Sequence, residues 1–130
     1  MRAGCVIDAS ALLSMLQGEP GSERMRELLP GGAMSAVNWS EVLQKLRARG
    51  RDPGQLPDLL TDAGMRLVPF TADDAALAAE LWSRTKAWGL SIGDRASLAL
   101  ALRLGLPAVT TDRSWLELEL GVDVECLRPA

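Results

Sequence analysis

The sequence predicts an α/β protein, one α/β/α domain over residues 1–130 with a mostly parallel five-stranded sheet between layers of helix. Two observations point there. Apolar runs of four or five residues alternate with longer helical patterns along the whole chain, which is the order of strand, crossover helix and next parallel strand. A chain of 130 residues with 48% hydrophobic content is also long enough for one proper core and too short for two.

The elements follow in order. Cys5-Val6-Ile7 is an apolar run, and a strand is expected over Gly4–Asp8, followed by a helix over Ala9–Gln17. Gly18-Glu19-Pro20-Gly21 stops that helix, and Ser22–Leu29 forms the next until Pro30-Gly31-Gly32 ends it. A strand over Ala33–Ala36 leads to a helix over Asn38–Arg49, closed by Gly50-Arg51-Asp52-Pro53-Gly54, and a further helix spans Gln55–Asp62. After a strand at Arg66–Pro69, the helix Asp73–Ala87 carries Ala78, Ala79, Leu81 and Trp82 at helical spacing. The helix Gly93–Leu104 is nearly all Ala and Leu from Ala96 onward, which fits close packing on a sheet, and it stops at Gly105-Leu106-Pro107. Strands at Ala108–Thr111 and Val122–Cys126, with one turn near Ser114–Leu118, complete the chain.

Composition removes whole reaction classes. With no histidine, the chain has no Ser-His-Asp triad, no Cys-His pair and no His-ligated zinc. Cys5 and Cys126 stand in apolar stretches at opposite ends and are expected to be buried free thiols. Any catalysis therefore falls to carboxylates, hydroxyls, lysines and arginines, and clustered carboxylates favour hard cations such as Mg2+ or Mn2+. No apolar run approaches the ~20 residues of a membrane span, so a cytoplasmic protein without a membrane partner is expected. A net charge of −3 argues against a nucleic-acid partner, unless dications held by the acids reverse its sign and leave a basic stripe elsewhere. Trp39, Trp82, Trp88 and Trp115 are scattered, as core or dimer-interface residues are, rather than gathered as a stacking platform.

Four acids stand where helices begin. Asp8 follows the first strand, Glu41 sits three residues after Asn38, Asp94 three after Ser91, and Asp112 follows the strand ending at Thr111. Each has a plain structural explanation: Asn38-x-x-Glu41 and Ser91-x-x-Asp94 resemble capping boxes, and Asp8 and Asp112 suit caps at strand-to-helix turns. Yet in a doubly wound sheet the carboxyl ends of parallel strands share one edge, where ligands bind. Asp8, Glu41 and Asp112 follow three such ends, while Asp94 reaches that edge only if its long helix lies across the sheet. Carboxylates gathered there repel by several kcal/mol unless protons or cations neutralise them, an estimate of about that size at a protein-like dielectric.

The arrangement VIDASAL, SAVNWSEVL, SIGDRASLALA and VTTDRSW, in that order over essentially the whole chain, resembles the PIN domain and, within it, the VapC-type ribonuclease toxins of toxin–antitoxin pairs. That resemblance implies a metal-dependent endoribonuclease with Asp8, Glu41, Asp94 and Asp112 as its acidic quartet, supported by the hydroxyls of Ser10 and Thr111. Asp8, Asp94 and Asp112 are expected as ligands of Mg2+ or Mn2+, with Asp112 alternatively orienting water and Glu41 acting as ligand or base. Asn38, at a position the family often fills with a polar residue, is expected to cap its helix. The resemblance also implies an RNA substrate, a cognate antitoxin and a homodimer, whose face is sought on the Asp73–Trp88 helix and the apolar surface near Gln55–Leu60.

Candidate phosphate contacts are Lys45, Arg47 and Arg49 in QKLRARGR, although cations at a helix C-terminus also complement the helix dipole. Arg95 and Arg113, each directly after a quartet acid, are further candidates. A haloacid-dehalogenase-type phosphatase would want an aspartate at position 10, where this chain has Ser10. A receiver-type phosphoacceptor would want a late lysine, and the last here is Lys86. A non-catalytic RNA- or protein-binding module has no need for four mutually repelling acids.

Overall fold

The computed structural model describes residues 4–128. Among these residues five parallel strands, β1 (Cys5–Ile7), β2 (Gly32–Ser35), β3 (Arg66–Val68), β4 (Ala108–Thr110) and β5 (Val124–Cys126), form one sheet in the order β3-β2-β1-β4-β5. The chain runs outward from β1 to β2 and β3, then crosses back to β4 on the other side of β1. This reversal makes the carboxyl ends of β1 and β4 the switch point where such sheets open a crevice.

Among the described residues seven α-helices cover the two faces: α1 (Ala9–Leu16), α2 (Ser22–Leu28), α3 (Ala36–Ala48), α4 (Leu56–Asp62), α5 (Ala72–Glu80), α6 (Trp82–Thr85) and α7 (Ile92–Leu104). Short 3-10 turns occupy Lys86–Trp88 and Arg113–Glu117. Side chains alternate across a strand. Cys5 and Ile7 therefore enter one core with Leu12, Met25, Met34, Val42 and Leu60, while Val6, Ala33 and Ala108 enter the other with Ala78, Leu98, Ala99 and Trp115. Burial on both faces explains why the central strands read as unbroken apolar runs. The Ala-rich face of α7 lets it lie against β1, β2 and β4, and α3 and α5 pack on it in turn.

Two details depart from expectation. The helix expected over Asp73–Ala87 is divided into α5, α6 and a 3-10 turn, because hydroxyls near the break compete for backbone carbonyls: Thr85 Oγ1 donates to Leu81 O at 2.8 Å. Helix α3 begins at Ala36, with Ser35 as its N-cap accepting from Val37 N–H, so Asn38 lies inside the first turn and caps nothing. The edge strand β3 is largely exposed and carries Arg66, a charge that blunts edge-to-edge pairing. Both cysteines are free as expected; Cys5 is buried and Cys126 half-buried. Trp115 is wholly buried, but Trp82 and Trp88 are 53% and 40% exposed. Among the described residues no helix is long and apolar enough to cross a membrane.

Candidate active site

Asp8 occupies the N-cap position of α1, yet its side chain makes no capping bond. Its carboxylate turns away from the orphan N–H groups and is gathered by four side chains from four elements. Oδ2 accepts from Ser10 Oγ at 2.7 Å and Thr110 Oγ1 at 3.1 Å; Oδ1 accepts from Ser97 Oγ at 3.2 Å and Asn38 Nδ2 at 3.4 Å. Sheet register explains the first pair. Ile7 lies opposite Val109, so the next residues, Asp8 and Thr110, leave the sheet side by side.

Asn38, fully buried, carries the network onward. Its Nδ2 donates to Glu41 Oε1 at 3.0 Å and to Gly93 O at 2.9 Å, while its Oδ1 has no partner among the described residues. An amide nitrogen has two hydrogens. These two short bonds use both, which leaves the contact to Asp8 the weakest of the three.

The electrostatics show which acids share the pocket. Burial, opposed by the Ser10 and Thr110 hydrogen bonds and reinforced by the charges of Asp94 and Glu41, pushes Asp8 up to about 6 from an ordinary 3.8. Glu41 is likewise raised, first by burial and then by Asp94, against the lowering effects of the Asn38 bond and Lys45. Asp8, Glu41 and Asp94 therefore sense one another, although among the described residues no ion pair neutralises any of them. Asp94 forms a true capping box with Ser91: Oδ2 accepts from Ser91 N–H at 2.9 Å, and Asp94 N–H donates to Ser91 Oγ. Capping and a place in the pocket are compatible, because the box occupies only one of its oxygens. Asp112 is exposed and caps the following 3-10 turn through Oδ1, while its N–H donates to Thr110 Oγ1 at 3.1 Å. It joins the site through Thr110 and not through its own carboxylate.

All remaining ligand candidates are hard oxygens, the donor set of Mg2+ or Mn2+. Among the described residues no three acidic or thiol groups close into a ready cation cage.

Several expected residues stand elsewhere. The threonine hydroxyl at Asp8 is that of Thr110, not Thr111, whose contribution is a backbone N–H donated to Ser10 Oγ at 3.1 Å. Arg95 turns from the acids and donates to Ala78 O on α5 at 2.7 Å. Arg113 is exposed and reaches Arg128 O at 3.4 Å. Lys45, Arg47 and Arg49 are exposed along the last turns of α3, and Lys45 lies nearest the pocket, where it acts on Glu41. Ser97, Thr110 and Gly93 were not anticipated. Ser97 had a signal, being the one hydroxyl in the Ala/Leu run of α7, and a buried hydroxyl requires a partner.

Known proteins share this fold. The sequence matches the family described as PIN domain over residues 5–119. It is 34% identical to Ribonuclease VapC42 of Mycobacterium tuberculosis, across 78% of this chain and 86% of that protein, and 35% identical to Ribonuclease VapC30 of the same organism, across 78% and 85%. The fold superposes on a chain of a toxin–antitoxin complex from Klebsiella pneumoniae with TM-score 0.74, at 20% identity over 92% of this chain and 95% of that one. An acid held at the β1–β4 switch point, the order of the four motifs and this sequence similarity agree, and the chain belongs to the PIN-domain family, alongside the VapC ribonucleases.

Proposed function

We propose that this protein is a divalent-metal-dependent endoribonuclease, the toxin of a toxin–antitoxin pair, acting on RNA in the cytoplasm. The observation that carries the reading is Asp8: a buried carboxylate at a helix cap that declines the cap, takes four side-chain donors and shares its pocket with Glu41 and Asp94, with no ion pair to it among the described residues. The ribonuclease names of its VapC relatives support the substrate class, and the toxin–antitoxin assembly of its structural neighbour supports an antitoxin partner.

In this reading Asp8 and Asp94 would hold Mg2+ or Mn2+, with Asp112 at the rim of the site and bonded to Thr110 through its backbone N–H. The cation, when bound, lowers the pKa of water and offsets charge on the phosphoryl oxygens. Glu41, held by Asn38 and made more basic by burial and by Asp94, accepts the proton of the attacking water. Ser10, Ser97 and Thr110 hold the Asp8 carboxylate against rotation. Lys45 meets the incoming phosphate, with Arg47 and Arg49 further along α3. A homodimer formed through the α5–α6 face covers Trp82 and Trp88.

Labelled RNA incubated with Mg2+ or Mn2+, with and without chelator, tests this. Cleavage is expected only with metal, to be abolished in Asp8→Asn and Asp94→Asn, and to fall about 10²- to 10⁴-fold in kcat in Glu41→Gln. Parent-level cleavage by Asp8→Asn protein would overturn the assignment.

A further inference from the structure

We infer that Gly93 is a positioning residue of this site: the missing side chain makes the space in which the Glu41 carboxylate lies, and its carbonyl holds the amide that fixes that carboxylate. The inference rests on the nuclease reading for its kinetic consequence, but not for its geometry.

Gly93 is buried at the second position of α7, where its backbone is not left-handed, so no conformational demand calls for glycine. Glycine is among the poorest helix residues and alanine the best. The local sequence thus works against its own helix, and a spatial reason must override propensity. A Cβ built on Gly93 would fall 2.6 Å from Glu41 Cδ and Oε2 and closer still to Oε1, so its three nearest neighbours are all atoms of one carboxylate. The carboxylate therefore lies directly over the Gly93 Cα. Gly93 O accepts from Asn38 Nδ2, whose other hydrogen goes to Glu41 Oε1. One residue thereby sets the position of Glu41 twice, from below by lacking a methyl group and from the side through Asn38.

Glu41 is the end of a flexible side chain, so a methyl at position 93 displaces the carboxylate without unfolding the helix. For Gly93→Ala the expected result is a melting temperature equal to or above that of the parent, little change in KM for RNA and a fall in kcat of about a hundredfold, the scale of an ångström-sized misplacement. In a Glu41→Asp background, whose shorter side chain has already left that space, adding Gly93→Ala should cause no further loss. Crystals of Gly93→Ala should show Glu41 away from Asn38 Nδ2. Parent-level kcat, an equal loss in the Glu41→Asp background or a Glu41 carboxylate still on Asn38 would each overturn the inference. If the parent cleaves no RNA at all, the nuclease reading fails, and the position of Glu41 in those crystals still decides the role of Gly93.

Discussion

At Asp8 the cost of the site falls on a single carboxylate. In the unfolded chain this acid ionises near 3.8, and in the fold near 6, so the folded protein binds its proton more tightly. Stability from this group is full below about 3.8, is lost as pH rises towards 6 and stays lost above, a penalty on the order of 3 kcal/mol. The neutral isostere Asp8→Asn escapes it, because Ser10 and Thr110 hydroxyls can turn to accept from the new amide. We predict that in metal-free buffer at pH 7.5 Asp8→Asn melts higher than the parent, that the gap closes as pH falls from 6 towards 4, and that Mn2+ narrows it at pH 7.5 by stabilising the parent alone. Thermal melts followed by circular dichroism check all three. Asn38 adds to the cost, since its buried amide oxygen has no partner among the described residues, and an unsatisfied buried acceptor forfeits about 1–3 kcal/mol.

Among the elements, the junction of α5 with α7 shows the opposite logic. Thr71 and Asp74 form a capping box at the start of α5, and Arg103 of α7 donates to the same carboxylate, Nε to Oδ1 at 2.6 Å and Nη2 to Oδ2 at 3.1 Å. Burial by itself would raise Asp74, but the bonds from Arg103 and Thr71 outweigh it and hold the acid below its usual range. This stability is present above the ordinary pKa near 3.8 and is lost as pH falls through the lower folded value. Asp74→Ala is expected to destabilise the protein by about 2–4 kcal/mol, towards the lower end because Arg103 is partly exposed and regains water. Denaturant titration at pH 7 and pH 3 checks it, with the difference shrinking at the lower pH. The gap at Asp8 also closes in acid, but with the opposite sign: there the variant is the more stable protein.

Across the whole molecule, one edge of the sheet is acidic and one helical flank apolar. Trp82 and Trp88 stay exposed on the flank of α6 and the turn after it, with Lys86 5.2 Å from the Trp82 ring centroid. Exposed tryptophans are costly unless they are covered, and aromatic residues are enriched in interfaces. Trp82→Glu is expected to shift the protein from dimer to monomer in sedimentation velocity at micromolar concentration while leaving the melting temperature of the monomer little changed. Parent protein that sediments as a monomer at every concentration tested would refute the dimer.

Local order was legible from the chain itself. Apolar runs in Cys5–Ile7 and Ala108–Thr110, the Ala/Leu face of α7 and the glycine and proline stops mark the strands and helices, because backbone periodicity is written in nearest neighbours. The absence of histidine likewise confines any chemistry to carboxylates, hydroxyls, lysines and arginines. What only the tertiary structure decided is which atoms meet. Thr110 and not Thr111 faces Asp8 because the pairing of β1 with β4 sets the register. Arg95 leaves the acids because α5 packs against α7. Asn38 bridges acids where a cap was expected, since Ser35 already opens α3. Residues 30 to 102 positions apart are joined by crossovers whose packing has no local periodicity, so an acid's place in the chain says that it can cap a helix, and only its surroundings in the fold say whether it does.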